Sequence, residues 1–206
     1  MTTYPHSEIT GIVLAGGEGR RMGGVDKGLT PLAGLPMAAH VVAALRAQCG
    51  EVLINANRNA QSYADLGCQV FADAPDANAD MIFNGPLAGI HAALAHARTQ
   101  WVLIAPCDSP LVASTLGERL WAPLSRTGAE IAVAHDGERL HPVFALLSTN
   151  LADSAADFLR RGQRKIDRWY AEHDTIEVQL ADLADTFLNV NRIEDQAALE
   201  ARLKQA

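Results

Sequence analysis

Apolar residues recur along this chain in two rhythms. Short, β-branched runs with little polar interruption occur at Ile9 to Ala15 (ITGIVLA), Glu51 to Ala56 (EVLINA), Cys68 to Asp73 (CQVFAD) and Trp101 to Pro106 (WVLIAP). Near-continuous runs of this length predict strands covered on both faces. Between them, PMAAHVVAALRAQC (Pro36 to Cys49) and PLAGIHAALAHA (Pro86 to Ala97) carry apolar residues at helical spacing. Each opens on proline, whose fixed φ suits the first turn of a helix. Strand–helix–strand alternation predicts a parallel sheet with helices on both faces.

The second half changes character. AEIAVAH and LHPVFALL are separated by the turn-like DGER (Asp136 to Arg139), which predicts an antiparallel hairpin or paired edge. Helical pattern returns in TNLADSAADFLRR and in the C-terminal EDQAALEARLKQ. ADAPDANADMIFNGP (Ala72 to Pro86) is the one long irregular stretch, and loops of that length are more often functional or mobile than idle. There is no internal repeat and no low-complexity tract. The expected fold is α/β: a three-layer, doubly wound, mainly parallel, Rossmann-like sheet with a small antiparallel part in the second half.

Composition narrows the function classes. At 206 residues the chain fits one domain, and a chain of this size buries about 70% of its unfolded surface without a disulfide or metal staple. The net charge of −7, from 24 acidic and 17 basic residues, is the opposite of what duplex binding requires. Cys49, Cys68 and Cys107 are odd in number and widely spaced, so they support neither a disulfide framework nor a zinc site. Reduced, buried thiols are expected. The N-terminal MTTYPHSEITGIVLAGG lacks a basic leader, and no segment approaches the ~20 apolar residues of a membrane span. The expectation is a soluble, cytoplasmic protein with no nucleic-acid or membrane partner.

Against that acidic background, Leu14 to Leu29 reads LAGGEGRRMGGVDKGL and gathers glycines, two arginines and a lysine directly after the first predicted strand. A glycine-rich turn there brings backbone N–H groups against phosphate. Two familiar phosphate motifs fail. The third position of G-x-G-x-x-G is Met22, and Lys27 lacks the hydroxyl residue that follows a P-loop lysine. The surplus cations match the charge of a nucleoside triphosphate and its leaving group. The competing reading is a glycine-rich surface turn with solvated basic side chains.

Asp108, in PCDSPL, follows the strand Trp101 to Pro106 and would face the same crevice at the carboxyl edge of the sheet. A carboxylate there suits Mg²⁺, which takes one or two protein carboxylates together with phosphate oxygens. Taken alone, Asp108 reads more readily as an Asx turn before Pro110, and the metal role becomes the better reading only beside a phosphate loop. Asn55 and Asp73 end the two intervening strands, and each fits a base or ribose contact or a simple cap. Gly85 to Gly89 (GPLAG) offers either close ligand approach or a proline-initiated helix with tight packing. His91, His96, His135 and His141 are scattered, with no spacing that marks a metal or triad site.

The ordered set of motifs carries a resemblance. The first loop resembles the L-A-G-G-x-S-x-R-M-G-x-x-K signature of nucleotidyltransferases that join a nucleoside monophosphate to an acceptor phosphate. With GPLAG, APCDSPL, HPVFAL and FLNVNRIEDQ, the chain is similar to the molybdopterin nucleotidyltransferase family in its guanylyltransferase form, from Ile9 to about Leu199. The resemblance implies the nucleotide-diphospho-sugar transferase type of sheet. It also implies a single domain over 1–206, with a nucleotide-binding half at about 9–112 and an acceptor-binding half at about 113–206.

The implied activity is Mg²⁺-dependent transfer of GMP from GTP to the terminal phosphate of molybdopterin. By the same resemblance, Leu14, Ala15, Gly16 and Gly17 meet the nucleotide through backbone, and Lys27, Asn55, Asp73 and Asp108 contact it. Arg21, Lys27 and Asp108 form the catalytic set, with Asp108 the Mg²⁺ ligand, while Arg20 occupies a variable position. Gly85, Pro86, Leu87, Gly89, Asn189 and Asn191 belong to the acceptor side. Gly19 departs from the pattern where serine is usual, which removes one hydroxyl and leaves the backbone donors.

The implied chemistry needs no general base, because a phosphate monoester with a second pKa of about 6 is already largely anionic. Alternatives are a cytidylyltransferase acting on the same acceptor, whose loop favours L-A-A-G where this chain has Ala15-Gly16-Gly17, and a non-catalytic nucleotide- or cofactor-binding module. The chain is expected to act as a monomer, with transient contact to other cofactor-biosynthesis proteins or recipient apoenzymes.

Overall fold

The computed structural model describes residues 3–15, 26–74, 85–190 and 199–200. The four β-branched runs form strands β1 (Ile9–Leu14), β4 (Glu51–Asn55), β5 (Gln69–Phe71) and β6 (Trp101–Pro106). A short ribbon, β2 (Pro31–Leu32) with β3 (Leu35–Pro36), stands apart from them. Ala33 and Gly34 close its turn at φ of 49° and 85°, the left-handed region that tight hairpins need. The expected hairpin is β7 (Ile131–His135) with β8 (Leu140–Ser148), and β9 (Thr175–Gln179) follows.

The main sheet has seven strands in the order β5-β4-β1-β6-β8-β7-β9. β8 pairs antiparallel with both β6 and β7, and it alone runs against the rest; β9 returns parallel to β7. From β1 the chain moves outward through β4 to β5, then crosses to β6 on the other side of β1. The winding therefore reverses between β1 and β6, where open α/β sheets leave a crevice at their carboxyl edge.

Helices α1 (Met37–Arg46) and α4 (Leu116–Thr127) cover one face through Val41, Leu45, Leu116, Leu120 and Leu124. Helices α3 (Pro86–His96), α5 (Ala152–Arg160) and α6 (Ile166–Tyr170) cover the other through Leu87, Ile90, Phe158 and Trp169. The one-turn helix α2 (Ala60–Ala64) inserts Tyr63 into the first face. Pro86 begins α3 as the sequence suggests, whereas Pro36 precedes α1 and belongs to the ribbon. The C-terminal helical pattern lies outside the described residues except at 199–200, which are helical. No helix among the described residues is long and apolar enough to cross a membrane.

The hairpin contains a feature the spacing of histidines did not reveal. His141 Nε2 donates to Asp136 Oδ2 at 2.6 Å, and its ring stacks on Phe187 at 4.4 Å. Asp136 Oδ1 also accepts from the N–H groups of Glu138 and Arg139. The His141 hydrogen bond, reinforced by those two, holds the Asp136 carboxyl well below the usual carboxylate range. With both oxygens engaged in closing a turn, this pair is structural. Cys49, Cys68 and Cys107 are free, and burial pushes the Cys49 thiol up to about 12.

Polar ties cross the layers where packing alone leaves donors buried. Gln48 is 3% exposed; its Oε1 accepts from Gly117 N at 2.6 Å, and its Nε2 donates to Ala44 O and Ala113 O. It thereby joins the end of α1 to the start of α4. Gln48→Ala leaves a buried N–H at the first turn of α4 without its acceptor, an expected cost of about 1–3 kcal/mol in urea unfolding. A loss below ~0.5 kcal/mol would show that the tie is redundant.

Candidate functional site

The site is built on the line where strands stop. The ladder continues one residue beyond them: Ala15 N donates to Asn55 O, Ala56 N to Phe71 O, and Cys107 N to Leu14 O, all at 2.8–3.0 Å. These bonds fix the residues that open each crossover. Leu14 and Ala15 therefore sit between Asn55 and the turn that carries Asp108.

On the β6 side, Asp108 follows the strand in a tight turn. Its own carbonyl accepts from Val190 N at 2.9 Å, and Ser109 Oγ donates to Asn189 Oδ1. The late Asn-Val-Asn motif is thus brought to the Asp108 turn, although 80 residues separate Ser109 from Asn189. Lys27 arrives from the opposite direction on a 3-10 turn, Lys27–Leu29. Its Nζ lies 3.3 Å from Asp108 Oδ2, with the two side chains 22% and 15% exposed. The pair is accessible without being fully solvated, so a ligand can compete for either partner.

On the β4–β5 side, Asn55 and Asp73 meet directly. Asn55 Nδ2 donates to Asp73 Oδ1 at 2.9 Å, and Asn57 Nδ2 donates to Asp73 Oδ2 at 2.9 Å. Asn57 Oδ1 in turn accepts from Asp73 N at 2.8 Å. The carboxylate is therefore aimed by two amides, neither of them charged. Asp73 follows β5 and Asp108 follows β6, three strand positions apart in the sheet, so their main chains leave its edge roughly 14 Å apart. Asn57 was not singled out in the sequence; its signal was the alternation Asn55-Ala56-Asn57 at a strand end.

The GPLAG segment starts α3. Gly85 adopts φ of 75° with open space around it, and Pro86 and Leu87 form the first turn. A Cβ on Gly89 would lie 2.6 Å from Asn55 Oδ1 and 3.4 Å from Leu14. Gly89 thus leaves room for the Asn55 side chain, the tight-packing alternative of the two readings. His91, one turn into α3, is pushed below its ordinary pKa by burial, partly offset by Asp73 and Asp153. Of the other candidates, Gly16, Gly17, Gly19, Arg20, Arg21 and Asn191 lie outside the described residues.

The chain is similar to known proteins along most of its length. Residues 11–176 match the family described as MobA-like NTP transferase domain. The molybdenum cofactor guanylyltransferase of Shewanella woodyi is 44% identical over 191 residues, covering 93% of this chain and 95% of the relative. That of Ralstonia nicotianae is 45% identical, covering 96% and 98%. Among solved structures, molybdopterin-guanine dinucleotide biosynthesis protein A from Archaeoglobus fulgidus superposes with a TM-score of 0.77 at 22% identity, over 96% of this chain and all of that one. The 2-C-methyl-D-erythritol 4-phosphate cytidylyltransferase of Thermus thermophilus gives 0.68 at 17% identity, over 94% and 98%. At these identities the structures establish a shared fold.

The crowding at Gly89 makes a specific expectation. Glycine to alanine inside a helix ordinarily stabilises by about 1 kcal/mol. Gly89→Ala is expected to melt below the parent protein because the new methyl displaces Asn55. A higher melting temperature would mean that Asn55 and Asp73 tolerate the displacement.

Proposed function

We propose that this chain, which belongs to the MobA-like NTP transferase family and within it to the molybdenum cofactor guanylyltransferases, transfers GMP from GTP to the terminal phosphate of molybdopterin. Membership makes it an enzyme, a nucleotidyltransferase. The observation that carries the finer reading is the Lys27–Asp108 pair at the switch point of the sheet, in a chain 44–45% identical to guanylyltransferases along nearly its whole length. In the reaction a phosphate oxygen of molybdopterin attacks the α-phosphorus of GTP. The bond from that phosphorus to the bridging oxygen breaks, and pyrophosphate leaves with the electron pair. No proton needs to be removed from the attacking group near neutral pH.

What the protein must supply is alignment of two anions and compensation of the leaving group's charge. Lys27, placed against Asp108, is a cation suited to the phosphates, and Arg21 is its partner in the signature. Leu14, Ala15, Gly16 and Gly17 would offer backbone to the nucleotide, with Asn55 and Asp73 at the far end of the crevice. Asn189, tied to the Asp108 turn, Asn191 and the Gly85–Gly89 segment would serve the acceptor. On this reading the nucleotide is held mainly by the half at about 9–112 and the acceptor mainly by the half at about 113–206.

The donor chemistry suits Mg²⁺. Asp108 offers a hard carboxylate oxygen, 15% exposed, at the crevice. No cluster of three or more metal-binding side chains exists among the described residues. A single carboxylate shared with phosphate oxygens is a normal Mg²⁺ arrangement. Bound there, Mg²⁺ would neutralise phosphate charge. We place the enzyme in the cytoplasm, acting as a monomer that hands its product to recipient apoenzymes.

Asp108→Ala is expected to abolish metal-dependent pyrophosphate release while preserving the far-ultraviolet spectrum, since the Asp108 carbonyl that binds Val190 remains. Near-normal turnover would remove Asp108 from the mechanism. Lys27→Ala is expected to lower kcat/KM for GTP at least tenfold, about 1.4 kcal/mol. Competition between GTP and CTP separates this reading from a cytidylyltransferase, and failure to release pyrophosphate from either would leave only a binding module.

A further inference from the structure

Ten residues, five of them glycine, lie between Ala15 and Asp26. Glycine loses more backbone freedom on ordering than any other residue, so the posts at the two ends of this segment matter. At the first post, Ala15 N donates to Asn55 O at 2.8 Å. The second is Asp26, whose side chain is only 9% exposed. Tyr63 Oη donates to Asp26 Oδ1 at 2.6 Å, and Asn59 Nδ2 donates to Oδ2 at 2.9 Å. Arg58 Nε stands 3.8 Å from the same Oδ2.

The main chain at Asp26 is held as well. Its carbonyl accepts from Leu29 N at 3.1 Å and from Thr30 Oγ1 at 3.3 Å, closing the turn that begins at Lys27. Beneath that turn lies the fully buried Tyr63. A Cβ on Gly28 would collide with Tyr63 Oη and lie 3.0 Å from Cys107 Cβ and Sγ. Burial, and then the neighbouring Cys107 and Asp26, raise the Tyr63 hydroxyl far above its ordinary pKa, so it remains a proton donor. The residues on either side of Lys27 are thus fixed to α2 and to the residue before Asp108.

We propose that Asp26 and Tyr63 form a latch between α2 and the phosphate-loop exit, holding Lys27 opposite Asp108. Both are positioning residues, and neither needs to touch the nucleotide. The catalytic part of this inference rests on the reading of Lys27 as a phosphate ligand; the latch itself rests only on the contacts around Asp26.

Two measurements on the full-length protein separate these parts. The chain contains three lysines, Lys27, Lys165 and Lys204. Tyr63→Phe, which removes only the hydroxyl, is expected to speed endoproteinase Lys-C cleavage after Lys27 by about tenfold, well below the melting transition, while cleavage after Lys165 keeps its rate. Unchanged cleavage after Lys27, or equal acceleration at both sites, overturns the latch. In turnover, Tyr63→Phe is expected to lower kcat/KM for GTP by about tenfold, and that loss should vanish in a Lys27→Ala background. A fully additive loss in the double variant overturns action through Lys27.

If cleavage accelerates selectively but Lys27→Ala leaves turnover untouched, the latch stands and the assignment of Lys27 to the phosphates falls. Asp26→Asn, which keeps the shape and one acceptor oxygen, provides the same readouts should Tyr63→Phe fail to fold.

Discussion

The parallel ladder at the carboxyl edge of the sheet governs everything functional in this protein. Cys107, Ala15 and Ala56 each donate to the last carbonyl of a neighbouring strand, so three crossovers depart from one hydrogen-bonded line. The strands behind that line are buried on both faces. A broken bond there would leave buried polar groups unpaired, which costs far more than an exposed bond. These bonds hold in place the residues from which each crossover departs.

Within that frame, the short stretch Asn55 to Tyr63 serves two carboxylates that are distant in sequence. Asn55 and Asn57 aim Asp73, while Asn59 and Tyr63 hold Asp26. The two ends of the crevice are therefore referenced to the same segment, which is itself anchored by the burial of Tyr63. Asn59 reaches its place through a left-handed backbone, φ 52°, that asparagine tolerates better than most residues. A chain of net charge −7 thus hydrogen-bonds these two carboxylates through neutral amide and hydroxyl donors, with Arg58 standing 3.8 Å from Asp26, and sets Lys27 against a third, Asp108.

Much of the fold was legible because its signals are local. The runs at Ile9, Glu51, Cys68 and Trp101 had to be strands, and the alanine-rich segments between them had to be helices, since period and β-branching act on adjacent residues. The hairpin around Asp136 was legible for the same reason. Less visible were β9, with Val178 its one buried residue, and α4, whose helical pattern is interrupted by Pro123. The ribbon bounded by Pro31 and Pro36 is two residues long on each side, too short for any periodicity.

The candidate residues followed the same division. Lys27, Asn55, Asp73 and Asp108 could be picked out because each stands at a strand end or in a signature. Tyr63 and Ser109 could not, because what they do is defined by partners 37 and 80 positions away, and Asn57, whose partner lies 16 positions away, showed only as a second asparagine just past Asn55. Short-range pattern and composition were enough for the first four long strands, the hairpin, the helices between the early strands and the chemical types gathered at the sheet's edge. Which carboxylate meets which donor came from the folded arrangement, because hydrogen-bond partners across crossovers are selected by strand order and packing, and neighbouring residues encode neither.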